Sequence, residues 1–265
     1  MKKTTPTIIG TIIGDVVGSR FEWKNIKTTE FEMMHENCMM TDDTILTIAV
    51  ADAILQGKPY GDFIYQYGRD WPGFGYGGNF RKYLASPSPK PYGSYGNGSA
   101  MRVSPVGFAF DDLETVLDQA RQSAECTHNH PEGIKGAQAV ASAIFLARTG
   151  SSKADIREFL SADPIGYDLN FTIKEIRPTY QFDVSCQGSV PQAIVAFLES
   201  DSFESAIRLA ISIGGDSDTI ACIAGGMAAA FYGEISEELI DFALKWLPGQ
   251  FRDIVRDFDE RFAGK

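Results

Sequence analysis

The stretch that decides the fold covers residues 211–232 and reads ISIGGDSDTIACIAGGMAAAFY. A glycine pair interrupts the preceding segment, and Asp216 and Asp218 stand directly before an apolar run of small residues over 219–232. Asp, Ser and Thr are preferred helix N-caps, and the N-terminus of a helix favours negative charge. We therefore predict a buried helix that begins near Asp218 or Thr219, with acidic side chains at its positive end.

A second stretch has the same order of residues. Thr41, Asp42, Asp43 and Thr44 stand directly before the apolar run 45–50. An apolar run of this kind predicts a helix that is buried on most sides. Two such helices would pack in one core and could bring their acidic ends together. The simpler interpretation is ordinary N-capping, although a cap uses one side-chain oxygen and each of these ends offers several.

The two acidic stretches together predict a metal site. Four aspartates that meet in a core repel one another, and burial adds to the free energy of charging them. A divalent cation removes that repulsion. Carboxylate and threonine oxygens without thiols or imidazoles suit Mg²⁺, Mn²⁺ or Ca²⁺ rather than Zn²⁺. A hard divalent cation is therefore one hypothesis for these residues, and simple capping is the other.

The composition is that of a folded, acidic protein. The 265 residues, 44% hydrophobic and 22% charged, suffice for one large domain or two small ones. A net charge of −11 argues against general nucleic-acid binding and against an anionic membrane surface. The longest uncharged apolar run, over 219–232, has 14 residues, fewer than the roughly 20 that span a bilayer.

Cysteine usage and the N-terminal residues bear on the cellular location. The four cysteines are far apart and form no C-x-x-C pair, which predicts reduced thiols and a cytoplasmic protein. The N-terminal residues faintly imitate a signal peptide, but Asp15 interrupts their apolar region and no convincing cleavage site follows. We therefore expect no signal peptide.

The remaining periodicity is helical. Residues 6–19 predict a tightly packed helix, because Gly10, Gly14 and Gly18 would share one face. Glu22 follows between two aromatic residues, where it is either a surface residue or an acid that faces a site. Further helices are predicted at 44–56, 60–70, 111–125, 133–148, 189–199, 202–212, 236–247 and 249–262.

The segment 161–188 differs from the rest because apolar residues alternate in parts of it, which predicts one small hairpin or an irregular lid near 165–186. With about a dozen helices and almost no sheet, the economical interpretation is a single all-α domain over residues 1–265.

Two glycine-rich loops are candidate ligand walls. Residues 71–78 form either a plain turn or a wall on which Phe74 or Tyr76 offers a stacking face. Residues 92–102 allow backbone N–H groups to converge on an anion, although a flexible turn is the alternative and no P-loop is present. The His128 and His130 pair has the wrong spacing for a helical zinc site, and loop hydrogen bonding explains it as well.

Six short motifs, in this order within residues 8–250, resemble those of the ADP-ribosylglycohydrolase family. Each motif is weak alone, and the ordered set that ends in GGDSDT is specific. The motifs are GTIIGD at 10–15 with Gly18 and Glu22, TDDT at 41–44, GNGSAMR at 96–102, Thr127-His128, SCQGSVP at 185–191 and GGDSDT at 214–219.

The resemblance implies a compact, orthogonal multi-helix fold with a binuclear Mg²⁺ or Mn²⁺ centre beside an ADP-ribose cleft. The implied metal ligands are Thr41, Asp42, Asp43, Asp216, Asp218 and Thr219. The implied substrate-binding residues are Phe74, Gly75, Asn97, Gly98, Ser99, Met101 and His128. Glu22 matches a glutamate that some members of the family use close to the metals.

The implied activity is hydrolysis of the glycosidic bond between ADP-ribose and a modified target. That target is an arginine or serine side chain of a protein, or a small ADP-ribosyl compound. The candidate catalytic carboxylates are Asp43, Glu22 and Asp216, with Asp43 or Glu22 taking the proton of the attacking water. Two divalent cations would orient the ribose and lower the pKa of water. We expect a cytoplasmic monomer without general affinity for membranes or nucleic acids.

Other functions for the same fold are a non-catalytic ADP-ribose-binding module, a dimetal nucleotide phosphohydrolase and a structural protein of the lens-crystallin type. The intact TDDT and GGDSDT motifs argue against a pure binder and against a structural protein, since neither needs every acidic residue. Release of phosphate instead of ADP-ribose would identify the phosphohydrolase.

Overall fold

The apolar runs of the sequence form buried helices at the centre of the molecule. The computed structural model describes residues 7–264, and these form fifteen α-helices and one 3₁₀ turn, Ser19–Phe21. The helices are α1 Ile9–Gly18, α2 Asp42–Gln56, α3 Tyr60–Asp70, α4 Gly78–Ala85, α5 Gly98–Met101, α6 Ser104–Ala109, α7 Leu113–Glu125, α8 Pro131–Arg148, α9 Lys153–Ser161, α10 Ile173–Ile176, α11 Cys186–Glu199, α12 Phe203–Ser212, α13 Ser217–Tyr232, α14 Glu237–Lys245 and α15 Gly249–Phe262.

The central pair is α1 and α13, whose main chains touch. A Cβ atom added to Gly14 would overlap the carbonyl of Ala221, and one added to Gly18 would lie 2.6 Å from the Cα of Asp218. A Cβ added to Gly225 of α13 would likewise overlap the main chain of α1. The prediction that the α1 glycines serve close helix contact is therefore confirmed. This contact fixes the position of the acidic end of α13 along the axis of α1.

Helix α2 begins and ends as its sequence predicts. Thr41 is the N-cap, and its hydroxyl accepts a hydrogen bond from the backbone N–H of Asp43 at 3.2 Å. The helix is capped at its C-terminus by Gly57, which adopts the left-handed conformation with φ of 62° that glycine tolerates best. Ten of its fifteen residues are buried, and Asp43 is one of them, whereas Asp42 is partly buried.

The all-α prediction is confirmed, and the structure decides the form of the segment near 165–186. Within residues 7–264 there is no β-strand, only an isolated bridge between Gly96 and Ser185. The hairpin alternative is therefore wrong, and the segment is irregular apart from the one-turn helix α10. Helices α4, α6, α9 and α10 were not predicted from the sequence. Residue 6, the first of the predicted helix 6–19, lies outside the described residues.

The structure also bears on the predictions for membrane-spanning helices and for the cysteines. No helix in the described part of the chain is long and apolar enough to cross a membrane. The four cysteines are free, three of them buried and Cys126 partly exposed. The single domain over 1–265, the cytoplasmic location and the monomeric state remain predictions.

Candidate metal centre and substrate cleft

Carboxylates from three parts of the chain converge where α1, α2 and α13 meet. One oxygen each from Asp15, Asp43 and Asp218 lie within 4.8 Å of one another. A second set with the same spacing consists of Glu22, Asp216 and Asp218. Because Asp218 belongs to both sets, the two sites are adjacent and share a carboxylate.

Asp15 is a member of this centre that the sequence analysis missed. It is fully buried, and it accepts hydrogen bonds from the backbone N–H of Thr41 at 2.9 Å and of Thr44 at 3.1 Å. The hydroxyl of Thr41 donates to it at 2.7 Å, and the hydroxyl of Thr44 also donates to it. Asp15 thus ties the N-terminus of α2 to α1. A signal was present, since Asp15 is the one charge in an otherwise apolar helix.

The acidic end of α13 is held by a side chain from the loop after α1. The amide of Asn25 pairs with Gly215 in both directions, donating to its carbonyl at 2.9 Å and accepting from its N–H at 2.8 Å. Lys27 donates to the carbonyls of Ile213 and Tyr180, the latter at 2.8 Å. Gly214 and Gly215 both have positive φ, 70° and 76°, which lets the chain turn sharply into α13.

Two oxygens of this centre have no hydrogen-bond partner although they are buried. They are Oδ1 of Asp43 and Oδ1 of Asp218, on side chains that are only 2% and 3% exposed. Burial, followed by the charges of Asp15 and Asp42, raises the pKa of Asp43 well above its ordinary value. Burial, followed by the charge of Asp216, does the same to the pKa of Asp218. Unpartnered buried carboxylate oxygens in an all-oxygen set fit hard divalent cations such as Mg²⁺ or Mn²⁺.

The other predicted metal ligands lie close by but are not equivalent. The hydroxyl of Thr219 is 3.3 Å from Oδ2 of Asp43, so the two helix ends meet directly. Asp42 belongs to neither carboxylate set, although it lines the adjoining cleft. Burial, followed by the charges of Asp15 and Asp216, raises its pKa well above the ordinary value. Asp42 therefore lies within electrostatic reach of the centre.

Glu22 stands at the boundary between the centre and the solvent. It is partly buried and lines the cleft beside Asp216 and Asp218. Burial, followed by the charge of Asp216, raises the pKa of Glu22 to about 7. Of the two interpretations left open by the sequence, the structure supports the acid that faces a site.

The acidic centre forms the floor of a cleft with a volume of about 380 Å³. The opposite wall is the glycine-rich loop that leads into α5. Asn97 connects the two sides, because its amide donates to Oδ2 of Asp216 at 2.6 Å. Predicted residues that line the cleft are Glu22, Asp42, Asp43, Gly75, Asn97, Gly98, Met101, His128, Asp216, Asp218 and Thr219.

Four residues predicted to face the ligand or the metals are not among those that line the cleft. The ring of Tyr76 is buried, with its centroid 5.3 Å from that of Phe80, and offers no stacking face to the cleft. The ring of Phe74 packs edge-on against Trp71, while its carbonyl accepts the N–H of Asp42 at 2.9 Å. Ser99 is fully buried and donates to the carbonyl of Gly133 at 2.7 Å. Thr41, as described above, turns its hydroxyl toward Asp15. These residues support neighbouring parts of the site.

Aromatic and apolar side chains form the rim of the cleft near Glu22. Trp23 and Phe182 stack with their ring centroids 5.3 Å apart and their planes at 22°. Their exposed fractions of 79% and 42% are unusual for such large apolar side chains, and Val184 beside them is 52% exposed. We refer to Trp23, Phe182 and Val184 as the aromatic rim. This set was not predicted, because its members come from two loops that are distant in sequence.

Comparison with known proteins agrees with this geometry. Residues 2–263 match the ADP-ribosylglycohydrolase family. The chain is 27% identical over 306 residues to ADP-ribosylhydrolase ARH3 of Mus musculus, a match that covers 85% of this chain and 82% of the relative. It is 25% identical over 272 residues to ADP-ribosylarginine hydrolase Tri1 of Pseudomonas putida, covering 85% of this chain and 69% of that protein.

The fold is also shared with a solved structure. A structure described as an ADP-ribosylglycohydrolase-related protein complex superposes with a TM-score of 0.75 at 23% identity, covering 96% of this chain and 95% of the other. The all-helical fold, the cleft and these relatives together define the class of the protein as a hydrolase. Within that class, this protein belongs to the ADP-ribosylglycohydrolase family.

Proposed function

We propose that this protein cleaves the glycosidic bond between ADP-ribose and a modified target and releases ADP-ribose, with two divalent cations as cofactors. One observation carries the proposal: carboxylates from α1, α2 and α13 converge on the floor of the cleft, and buried oxygens of Asp43 and Asp218 lack a partner. Family membership supports the reaction class. The names of the ARH3 and Tri1 relatives support the ADP-ribosyl group as the substrate.

The cations that suit these residues are Mg²⁺ or Mn²⁺. One would be held by Asp15, Asp43 and Asp218, and the other by Asp216 and Asp218, with Glu22 beside it. The predicted ligands Thr41, Asp42 and Thr219 stand next to these sets and would complete them. When bound, such cations neutralise the carboxylates, orient sugar hydroxyls and lower the pKa of water.

Glu22 is our choice for the group that takes the proton of the attacking water. Cleavage at the anomeric carbon develops positive charge on the ribose, and the water must lose a proton as it attacks. Glu22 is partly exposed to the cleft and adjoins Asp216 and Asp218, so its carboxylate can accept a proton from a water at the centre. Asp43 is the alternative, but it is buried and its Oδ2 lies 3.3 Å from the Thr219 hydroxyl. Asp216 is held by Asn97 and has an orienting role.

The polarity of the cleft suggests how ADP-ribose lies in it. The glycine loop at Asn97 and Gly98 and the imidazole of His128 offer hydrogen-bond donors, which suit the diphosphate. The carboxylates of the floor suit a ribose whose hydroxyls reach bound cations. The substrate would therefore run from the glycine loop to the acidic centre, with its leaving group at the aromatic rim.

For the leaving group we propose the guanidinium of an ADP-ribosylated arginine. A guanidinium is planar, weakly hydrated and prone to stack on aromatic faces. Trp23 and Phe182 offer such a face directly beside the carboxylates of Glu22 and Asp216. A serine oxygen would use neither the stacked rings nor the surplus negative charge. The Tri1 relative, named as an ADP-ribosylarginine hydrolase, supports the same choice.

A turnover assay with paired substrates tests the proposal. Two peptides of equal sequence, one ADP-ribosylated on arginine and one on serine, are incubated with the protein in Mg²⁺, in Mn²⁺ and in excess chelator. Mass spectrometry follows ADP-ribose and the freed peptide. We expect release from the arginine peptide in either metal and none in chelator. Activity that survives chelation would refute the metal-dependent mechanism.

The peptide assay and two further measurements distinguish the other functions. Binding of ADP-ribose by calorimetry without turnover of any substrate would identify a non-catalytic module. Release of phosphate or AMP from ADP-ribose would identify a nucleotide phosphohydrolase. Preferential release from the serine peptide would keep the hydrolase but overturn the assignment of the aromatic rim.

A further inference from the structure

A buried row of three polar side chains lies behind the glycine loop. The guanidinium of Arg102 donates through Nη2 to the hydroxyl of Thr127 at 2.9 Å and to the carbonyl of Ser123 at 2.9 Å. The Thr127 hydroxyl lies 2.7 Å from Nδ1 of His128. The exposed fractions are 0% for Arg102 and Thr127 and 6% for His128, so water does not compete for these contacts.

The chemistry of the donors decides which ring nitrogen of His128 carries the proton. A guanidinium donates hydrogen bonds and accepts none. The Thr127 oxygen therefore accepts from Arg102, and its single hydrogen is left for Nδ1 of His128 at 2.7 Å. If Nδ1 carried a proton, two donors would face the same oxygen and the threonine hydrogen would be left with the Cys126 sulfur, which is a weak acceptor. Nδ1 is therefore the acceptor, and the proton is on Nε2.

Nε2 of His128 faces the glycine loop. A Cβ atom added to Gly98 would lie 3.1 Å from Nε2, and one added to Gly96 would lie 3.6 Å from it. His128 and Gly98 both line the cleft. Burial, followed by the charge of Arg102, lowers the pKa of His128 well below its ordinary value, so the imidazole is neutral. A neutral ring that is bonded at Nδ1 presents one N–H to the cleft.

The charge of Arg102 is not neutralised by a carboxylate. No ion pair involves it within the described residues, and its Nε and Nη1 atoms are buried without a partner. An uncompensated buried cation is unfavourable for the protein alone and strengthens donors that are bonded to it. An anion in the cleft would recover part of that free energy through Thr127 and His128.

We propose that Arg102 and Thr127 are positioning residues that fix His128 as the Nε2–H tautomer and polarise this N–H toward an anionic oxygen of the ligand. The class of ligand is a phosphate ester of the nucleoside-diphosphate-sugar type. This identity rests on the proposed function, whereas the tautomer rests on the hydrogen bonds alone. Arg102 also lines the cleft, and the role proposed for it here is exerted through the other two side chains.

Nitrogen NMR of the histidine rings tests the tautomer directly. In wild-type protein labelled with ¹⁵N, long-range correlations near neutral pH should show a pyridine-type Nδ1 and a pyrrole-type Nε2 for His128. His128→Gln assigns the signals. Thr127→Ser should keep the wild-type pattern, because it keeps the hydroxyl, and Thr127→Val should shift the ring toward a mixture of tautomers. A protonated Nδ1 in the wild type, or an unchanged spectrum in Thr127→Val, would overturn the proposal.

The second measurement is affinity for ADP-ribose by calorimetry with Mg²⁺ present. Loss of the His128 hydrogen bond to a charged ligand predicts about ten- to hundredfold weaker binding for His128→Asn. Thr127→Val leaves the bonding tautomer only partly populated and should weaken binding about twofold or more, whereas Thr127→Ser should bind nearly normally. His128→Gln, whose amide can place an N–H near the position of Nε2, should bind more tightly than His128→Asn. Equal affinities of Thr127→Val and wild type would contradict the role in binding.

The proposed tautomer of His128 and the proposed hydrolase activity can be refuted independently. The tautomer can be read in the free protein and needs no turnover, so a protein that proves inactive on ADP-ribosyl substrates still allows the test. An active hydrolase with Nδ1 protonated would refute this inference and leave the reaction untouched. Folding of each variant is checked by the dispersion of the same NMR spectra.

Discussion

The two ends of the cleft have opposite electrostatic character. At the end formed by α1, α2 and α13, carboxylates crowd together and burial raises the pKa values of Asp43 and Asp218 well above the ordinary range. At the end formed by the glycine loop, Arg102 is buried without a carboxylate partner in the part of the chain described, and His128 is held neutral. One end requires a cation and the other an anion. A metal-chelated sugar with a phosphate attached satisfies both, which a purely cationic or purely anionic ligand does not.

The largest expected effect comes from the residue shared by both carboxylate sets. Asp218→Asn should fold, because the amide has nearly the same shape, but should lose at least about 10²–10⁴-fold in kcat/KM. Calorimetry with Mn²⁺ should show weakened binding at both sites. Asp241→Asn is the matched control, because Asp241 is an exposed residue of α14, and it should behave as wild type. Full activity of Asp218→Asn with metal supplied would refute the centre.

Asp216→Asn and Asp42→Asn follow from the sequence analysis and are expected to fold and to lose activity by about 10²-fold or more. The comparison between them is informative, because Asp216 belongs to a carboxylate set and Asp42 to neither. The check is turnover at saturating Mn²⁺, beside circular dichroism of each variant. If Asp42→Asn keeps wild-type turnover, Asp42 is a neighbour of the centre and not a ligand.

Glu22→Gln tests the proton acceptor at the solvent side of the acidic end. We expect kcat to fall about 10²–10⁴-fold, while affinity for ADP-ribose measured by calorimetry changes little. In the metal-loaded wild type, kcat should fall on the acid limb of its pH profile, where protonation of Glu22 removes the acceptor. That limb should lie below the pKa of about 7 that Glu22 has without cations, because the cations stabilise its charged form. That limb should be missing from the residual activity of the variant. If the variant keeps both its rate and this limb, Asp43 becomes the better candidate.

The aromatic rim sets the expected preference for arginine. Trp23→Ala removes one ring of the stack and should raise KM for the arginine-linked peptide about two- to thirtyfold, the range of a cation–π contact. KM for the serine-linked peptide should hardly change. Tyr95→Ala is the matched control, since Tyr95 is an aromatic residue with 53% exposure that does not line the cleft. Equal effects on both peptides would argue against the guanidinium subsite.

The smallest effect expected is on thermal stability, and its sign follows from the raised pKa values. Without metal, the folded protein binds more protons on its acidic centre than the unfolded chain does, so its stability falls as pH rises through the folded pKa values, about 7 for Glu22. Cations hold the same carboxylates in their charged form. The gain in Tm on adding Mg²⁺, about 5–10 °C at roughly one hundred times Kd, should therefore grow from about pH 5 to about pH 8. Scanning calorimetry with and without chelator measures it, and a gain that shrinks with pH would contradict the account.

A helix was predictable where its own sequence shows an apolar periodicity of helical spacing. Helix α15 occupies the predicted range 249–262, because apolar residues recur along one stripe and Pro248 precedes it. The short helices α9 and α10 were missed although each begins with a capping box, Ser152 with Asp155 and Thr172 with Glu175. These local caps were readable, but short helices offer too few apolar positions for a periodicity.

The candidate site was predictable only in part, for a different physical reason. The TDDT and GGDSDT motifs put acids at two helix starts, and the structure brings these ends together. Asp15 left a local signal as the one charge of an apolar helix, but its partners on α2 lie in a distant segment. The aromatic rim depends on the contact of Trp23 with Phe182, which no local pattern encodes. The fixed tautomer of His128 likewise requires knowing that Arg102 stands behind Thr127.

The contact between α1 and α13 has a consequence for engineering. Because Gly14 and Gly18 let the two backbones touch, the separation of the acids on these helices is set by the main chain and not by adjustable side chains. Exchanging ligands to recruit a different ion, or enlarging the cleft for a bulkier target, should therefore begin at the loops. A single added methyl group on this seam would push apart the ligand sets before any new chemistry was tried.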